Sequence, residues 1–204
     1  MKTLICLPCL EQIPAFTVAS LVNLERPDAE FAMELGSLVY IARNNLAVKA
    51  IDSGAEWTLW IDSDMVFLPN TLKNLLAVAE KNHYDILSTV CYQRRGTHAP
   101  CLMQKLEIGE DYLADFEEFD SIPNHIFEVA GCGFGCVLIR TKVFKDVFEK
   151  FGDMFGPLSN MSEDYSFCYR ARQLGYRIYA DPSFQIGHVG QAIYTEKSWR
   201  KEKK

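Results

Sequence analysis

Short apolar runs alternate along the chain with segments whose apolar residues recur every three or four positions, and this alternation predicts an α/β protein. Residues 3–7 form an apolar run ended by Pro8, the expected first strand. Residues 15–24 carry Val18, Leu21 and Val22 at helical spacing, and residues 31–35 predict a second strand. Residues 38–51 predict a helix through Ile41, Leu46, Val48 and Ile51, stopped by Ser53-Gly54. Trp57-Thr58-Leu59-Trp60-Ile61 is a near-continuous apolar, β-prone run, as expected of a central strand buried on both faces. Asn70 is placed to cap a helix reaching Lys81, with Leu72, Leu75, Leu76 and Ala79 inward, and residues 85–92 predict another strand. This order implies a largely parallel sheet with helices on both sides.

The second half changes character. Residues 94–124 are rich in charge and glycine and predict irregular structure. Beyond them, residues 136–139 predict a strand and Thr141 caps a helix to Lys150. Ser162 opens a helix through Leu174 that Gly175 ends, and residues 178–180 predict a short last strand. No repeat, low-complexity stretch or linker divides the chain, so a single domain is expected over residues 1–195, followed by a charged tail over 196–204.

Composition narrows the class. The 204 residues are 49% hydrophobic and 24% charged, enough to bury a core without a metal or disulfide staple. A net charge of −6 disfavours a nucleic-acid binder held by overall charge. The seven cysteines are an odd number and fall mostly in apolar runs, as buried free thiols in a reducing compartment would. Cys6-Leu7-Pro8-Cys9 lies inside the first strand rather than at a helix start, which argues for packing over redox chemistry. Lys2 and the run after it resemble a signal peptide, but Pro8 and Glu11 break that run too early. No stretch approaches the length of a membrane span, and a soluble, cytoplasmic protein is expected.

Four constellations carry candidate chemistry. The strongest is Asp62-Ser63-Asp64, directly after the apolar strand. Two carboxylates one residue apart can converge on a hard cation such as Mn²⁺ or Mg²⁺, and ligand sites in α/β sheets lie at such strand ends; the bland reading is a turn cap. The second is Ser162-Glu163-Asp164, where first-turn acids suit the helix dipole with no chemistry, or else supply a general base or a sugar-hydroxyl ligand. The third is Gly187-His188-Val189-Gly190, whose flanking glycines suggest a tight backbone presenting the imidazole as a further metal ligand. The fourth is Gly131-Cys132-Gly133-Phe134-Gly135-Cys136, which allows close ligand approach but precedes a strand, unlike a phosphate cradle. A structural zinc on Cys132, Cys136 and a third thiol is disfavoured by the spacing and by the missing second pair.

Together, Ala42-Arg43-Asn44, the strand ending in Asp62-Ser63-Asp64-Met65, residues 131–140, Ser162-Glu163-Asp164 with Arg170, and Asp181-Pro182 through His188 resemble the GT-A glycosyltransferases. The similarity is to the family-2-like group and its small phage and bacterial relatives, across roughly residues 3–190. The resemblance implies a three-layer, Rossmann-like fold with a mainly parallel sheet. It implies a nucleotide-sugar donor, expected to be a UDP-sugar, and transfer to an acceptor hydroxyl. Pro8 and its neighbours would border the base, and Arg43 the nucleotide or its diphosphate. Asp62 would approach the ribose or the metal; Asp64 and His188 would ligate Mn²⁺ or Mg²⁺, with Ser63 between the acids. Gly131 and Gly133 would lie against donor sugar or acceptor. Asp164 matches the base of inverting members, with Glu163 beside it; retention without a protein base stays open. The acceptor, whether glycan, protein or modified nucleic acid, is unspecified, and its binding part is minimal or supplied by a partner. The alternatives are a non-catalytic nucleotide-sugar or glycan-binding module and a nucleotidyltransferase. The latter wants a glycine-rich loop after the first strand, where this chain has Pro8-Cys9-Leu10-Glu11-Gln12.

Overall fold

The computed structural model describes residues 1–94 and 98–190. Its centre is a seven-stranded sheet. Strands β1 (Thr3–Cys9), β2 (Ala29–Leu35), β3 (Trp57–Ile61), β5 (Ile86–Thr89), β8 (Phe127–Val129), β10 (Cys136–Arg140) and β11 (Ile178–Asp181) lie in the order β2-β1-β3-β10-β5-β11-β8. Pairings β1–β2, β1–β3 and β5–β11 are parallel, whereas β10 runs antiparallel to both β3 and β5, and β8 antiparallel to β11. The sheet is thus mainly parallel, as expected, with two reversed strands that a short apolar run cannot announce. β10 needs no crossover helix because an antiparallel neighbour can be entered from the opposite end.

Period-two alternation splits the core into two layers. Leu4, Cys6, Trp60, Val137 and Ile139 face one side, where α2 (Val39–Asp52), α4 (Thr141–Phe151) and α5 (Glu163–Gln173) contribute Leu46, Phe144 and Phe167. Ile5, Leu7, Leu59, Ile61 and Leu138 face the other, covered by α3 (Thr71–Asn82) through Leu72, Leu75 and Leu76. Trp60 lies 5.3–5.8 Å, centroid to centroid, from Phe134, Phe144 and Phe155. This aromatic cluster fixes the floor beneath the carboxyl end of β3, where Asp62 and Asp64 emerge.

Several expectations are corrected. Helix α1 (Ala15–Asn23) buries Thr17 and Ser20 and exposes Val18 and Val22, so of the three apolar residues at helical spacing only Leu21 packs against the core. Ser20 is held inward because its Oγ accepts the Phe67 N–H at 3.2 Å. The segment read as irregular holds a hairpin, β6 (Leu102–Ile108) with β7 (Ala114–Glu118), and β6 also pairs with β9 (Gly131–Cys132). Thr141 is the first helical residue of α4 rather than its cap, which is Arg140. β11 is not last: β12 (Ile186–His188) follows and pairs antiparallel with β4 (Met65–Phe67). Cys132 and Cys136 pack in opposite layers of the core, so they cannot share a zinc ion. All seven cysteines are free. The charged tail, residues 196–204, lies outside the described residues.

Gly152 ends α4 in the left-handed region at φ +72°, its N–H bonded to the Phe148 carbonyl at 2.8 Å, with open space where a Cβ would stand. The strain of Gly152→Ala is therefore purely conformational and is expected to cost about 1 kcal/mol. Thermal unfolding should record a fall in Tm of about 2–4 °C.

Candidate active site

β1 has β2 on one side and β3 on the other, so strand order reverses at the β1–β3 junction. A crevice opens at the carboxyl ends of strands at such a junction. Here it is a cleft of about 430 Å³, walled by Pro8, Cys9 and Leu10 after β1, residues 37–39 and Arg43 at the start of α2, and Asp62, Ser63 and Asp64 after β3. Glu163 and Asp164 from the first turn of α5, Arg94 and His188 complete the wall. The first-half site residues therefore converge with those of the second half, across about a hundred residues of sequence.

Arg43 is the hub of the floor. Its side chain is 3% exposed; Nη2 donates to Asp62 Oδ1 at 2.8 Å and Nε donates to Glu163 Oε1 at 3.1 Å. The guanidinium carbon stands 5.0 Å from the Phe134 ring centroid and 6.0 Å from that of Trp60, while Nη1 has no hydrogen-bond partner. Two carboxylates and two aromatic faces together compensate a buried charge that would otherwise be costly. Asp62 and Glu163 are thereby turned towards Arg43.

Asp64 points elsewhere. Its Oδ1 lies 3.2 Å from His188 Nε2, and its other oxygen is paired with the Arg94 guanidinium. The β4–β12 ladder sets this meeting: His188 pairs with Met65, and the Val189 N–H donates to the Asp64 carbonyl at 2.8 Å. A two-stranded ribbon presents the imidazole, not a glycine turn; neither Gly187 nor Gly190 has positive φ. His188 Nδ1 donates to the Tyr92 carbonyl at 2.7 Å, which leaves Nε2 of the neutral ring as an acceptor facing a carboxylate. With a proton on Nε2 the ring is an imidazolium that donates to Asp64 at this distance; without it, both the nitrogen and the carboxylate are open to a cation. Burial works to raise the Asp64 carboxyl, but His188 and Arg94 outweigh it and hold it below the usual range; Asp64 in turn raises His188.

The expected trio of Asp62, Asp64 and His188 is not gathered as one set, since Asp62 belongs to Arg43. Among the described residues no group of three or more His, Cys, Asp or Glu side chains is placed to hold a metal ion by itself. The donor chemistry still fits a hard divalent cation: one carboxylate and one imidazole nitrogen, the latter oriented by a carbonyl on its far side.

Asp164 stands apart from the Arg43 clamp. Its Oδ1 accepts the Tyr165 N–H at 2.8 Å and the Ser162 hydroxyl, so Ser162, the N-cap residue, serves Asp164 rather than the helix. Burial, reinforced by the neighbouring Glu163 carboxylate, pushes Asp164 up to about 6. A Cβ on Gly133 would stand 3.0 Å from Cys101 Cβ and 3.6 Å from Asp164 Oδ2, so the absence of a side chain keeps this edge of the acid clear. Gly131 serves packing instead: a Cβ there would press at 3.0 Å on Leu106 and Tyr165. Arg94 was not expected from the sequence. It lies thirty positions from Asp64, and the only hint was a cation following a strand whose carboxyl end faces the acids.

The sheet is mainly parallel and covered on both sides, paired acids leave its interior strand β3 over a crevice at the switch point, and the solved structures it superposes on share this GT-A-type fold. The family model described as glycosyltransferase like family 2 matches residues 20–203, and the chain belongs to that family. It is 25% identical over 175 residues to the mannan polymerase complex subunit mnn9 of Schizosaccharomyces pombe, covering 72% of this chain and 50% of that protein. The Candida albicans subunit MNN9 is also 25% identical, over 207 aligned positions, covering 86% and 55%. The chain thus spans about half the length of the curated relatives it matches. Among solved structures, A197 from STIV superposes with a TM-score of 0.68 at 18% identity, covering 94% of this chain and 87% of that one. GalNAc-T7, crystallised with UDP, GalNAc and Mn²⁺, superposes at 0.61 with 10% identity, covering 94% and 43%.

Proposed function

We propose that the cleft binds a nucleoside-diphosphate sugar with a divalent cation, Mn²⁺ or Mg²⁺, and transfers the sugar to an acceptor hydroxyl with inversion. The observation that carries the reading is the meeting of Asp64 and His188 at the cleft: a carboxylate oxygen 3.2 Å from an imidazole nitrogen, with the ring's far nitrogen tied to a carbonyl. Asp64 and the neutral His188 ring would hold such a cation, which would supply Lewis-acid neutralisation of charge on the departing diphosphate.

The chain's own groups supply the rest. Pro8 and residues 37–39 border the space for the nucleoside. Arg43 holds Asp62 and Glu163 in place, which makes Glu163 a positioning residue and fixes Asp62 in the wall of the cleft beside Ser63 and Asp64. Ser63 keeps the two acids on one turn. Asp164 accepts the proton of the acceptor hydroxyl as that oxygen bonds to the anomeric carbon and the bond to the diphosphate oxygen breaks. A carboxylate with a pKa of about 6 is mostly ionised at neutral pH and still a better base than an ordinary aspartate.

A UDP-sugar donor is supported by the neighbour crystallised with UDP and Mn²⁺, and a mannosyl nucleotide by the relatives named as mannan polymerase subunits. Glycan acceptors are favoured by the same names. Among the described residues no helix is long and apolar enough to cross a membrane. Thermal shift against UDP- and GDP-sugars, with and without Mn²⁺, tests the reading, because a ligand that binds only the folded state raises Tm. Asp64→Ala should erase the Mn²⁺-dependent part of the shift; a full shift in that variant would remove Asp64 from the cation site. Nucleotide binding with no sugar transfer or hydrolysis, unaffected by Asp164→Asn, would favour the non-catalytic module.

A further inference from the structure

Arg94 is the one permanently charged basic side chain among the described cleft-lining residues with open access to solvent. Its side chain is 47% exposed, against 3% for Arg43. The cleft carries four acids, Asp62, Asp64, Glu163 and Asp164, and Arg43 is already shared between two of them. A diphosphate entering this cleft meets net negative charge unless a cation that can move is on hand. Arg94 meets that description and is now spent on Asp64, whose side chain is 15% exposed.

The loop that carries Arg94 is built for this. After β5, backbone bonds tie residues 91–93 to residues 99–101: the Cys101 N–H donates to the Cys91 carbonyl at 2.8 Å and the Gln93 N–H to the Ala99 carbonyl at 2.9 Å. The backbone is therefore fixed up to Gln93, and Arg94 stands just beyond it with a long side chain. Tyr92 in the same loop accepts the hydrogen bond that orients His188. Arg94 also lines a second cleft of about 530 Å³, shared with Ser63, Asp64 and residues 12–14, so its head has room on both sides of Asp64.

We propose that Arg94 is an exchangeable counter-ion. It neutralises Asp64 while the cation site is empty, yields that carboxylate when a divalent cation binds, and then pairs with the diphosphate of the donor. The inference rests on the cation reading of Asp64 and His188 given above, and it predicts effects of opposite sign on two ligands. Removing the guanidinium removes a competitor for Asp64 and also removes a partner of the diphosphate.

The test is binding, not turnover. Mn²⁺ alone is titrated by the loss of the free-ion electron paramagnetic resonance signal, and UDP and GDP are then titrated calorimetrically at saturating Mn²⁺. Arg94→Gln should bind Mn²⁺ about tenfold more tightly than wild type and the better nucleoside diphosphate about tenfold more weakly, the scale of one charge-assisted hydrogen bond. Arg94→Lys should restore the nucleotide affinity in part. If both affinities fall together, or neither moves, the exchange is wrong. Asp64→Ala is the control for the underlying reading: Mn²⁺ affinity equal to wild type in that variant would remove the cation site itself, and the exchange with it. Loss of Mn²⁺ binding in Asp64→Ala with no change in Arg94→Gln would overturn the exchange alone.

Discussion

Asp164→Asn is expected to lower sugar transfer by about 10²- to 10⁴-fold, the contribution of a general base, while nucleotide affinity stays at its wild-type value. The amide keeps the hydrogen bonds from Ser162 and the Tyr165 N–H, so the first turn of α5 is preserved. Wild-type activity should rise with pH through about 6, because the base must be ionised, and that acidic limb should vanish in the variant's residual rate. Stability should move the other way. A carboxyl whose folded pKa lies above its unfolded value is favoured when protonated. Its ionisation therefore costs the native state progressively as pH rises from about 4, and fully above about 6 to 7. Partial exposure reduces that cost to about 1–2 kcal/mol. Asp164→Asn should therefore melt a few degrees higher than wild type at pH 8 and show no gain at pH 4. A variant that lost activity and stability together at pH 8 would make Asp164 a structural residue.

The second large effect concerns Arg43. Arg43→Met keeps much of the volume but strands Asp62 and Glu163 against Phe134 without their shared cation. Breaking a buried pair by removing one partner costs about 3–5 kcal/mol, and urea unfolding should read that loss. Adding Glu163→Gln to Arg43→Met should recover part of it, since one uncompensated charge is then gone. A loss below about 1 kcal/mol in the single variant would mean that the clamp is worth no more than a surface pair.

How far the sequence disclosed all this depended on what each residue does locally. The strand Trp57–Ile61 was legible because burial on both faces leaves a continuous apolar run, and its bounds agree with the fold. The helix beginning at Glu163 was legible from Ser162, the first-turn acids and the apolar spacing, although Ser162 bonds Asp164 instead of capping. The β6–β7 hairpin was hidden because β7 is almost wholly exposed and carries no apolar alternation. Strand direction was hidden too: nothing in Cys136–Arg140 tells that it slots antiparallel between β3 and β5.

Within the candidate site, the acids and His188 were found as residue types, but their partnerships were not. That Asp62 and Glu163 share a buried arginine, and that Asp64 turns instead to His188 and Arg94, depends on side chains brought together from separate strand ends. The glycines around His188 pointed to a tight turn where a backbone ladder does the presenting. Gly131 fell on the packing side of a motif whose neighbour Gly133 borders Asp164.

The central claim is that Asp64 and His188 grip the same cation beneath a diphosphate. Crystals grown with Mn²⁺ and a nucleoside diphosphate, measured on the low-energy and high-energy sides of the manganese absorption edge, test it directly. The account predicts one manganese anomalous peak within coordination distance of both Asp64 and His188 Nε2, touching phosphate oxygens. Bound nucleotide with the manganese elsewhere, or with no manganese between those two side chains, would contradict it.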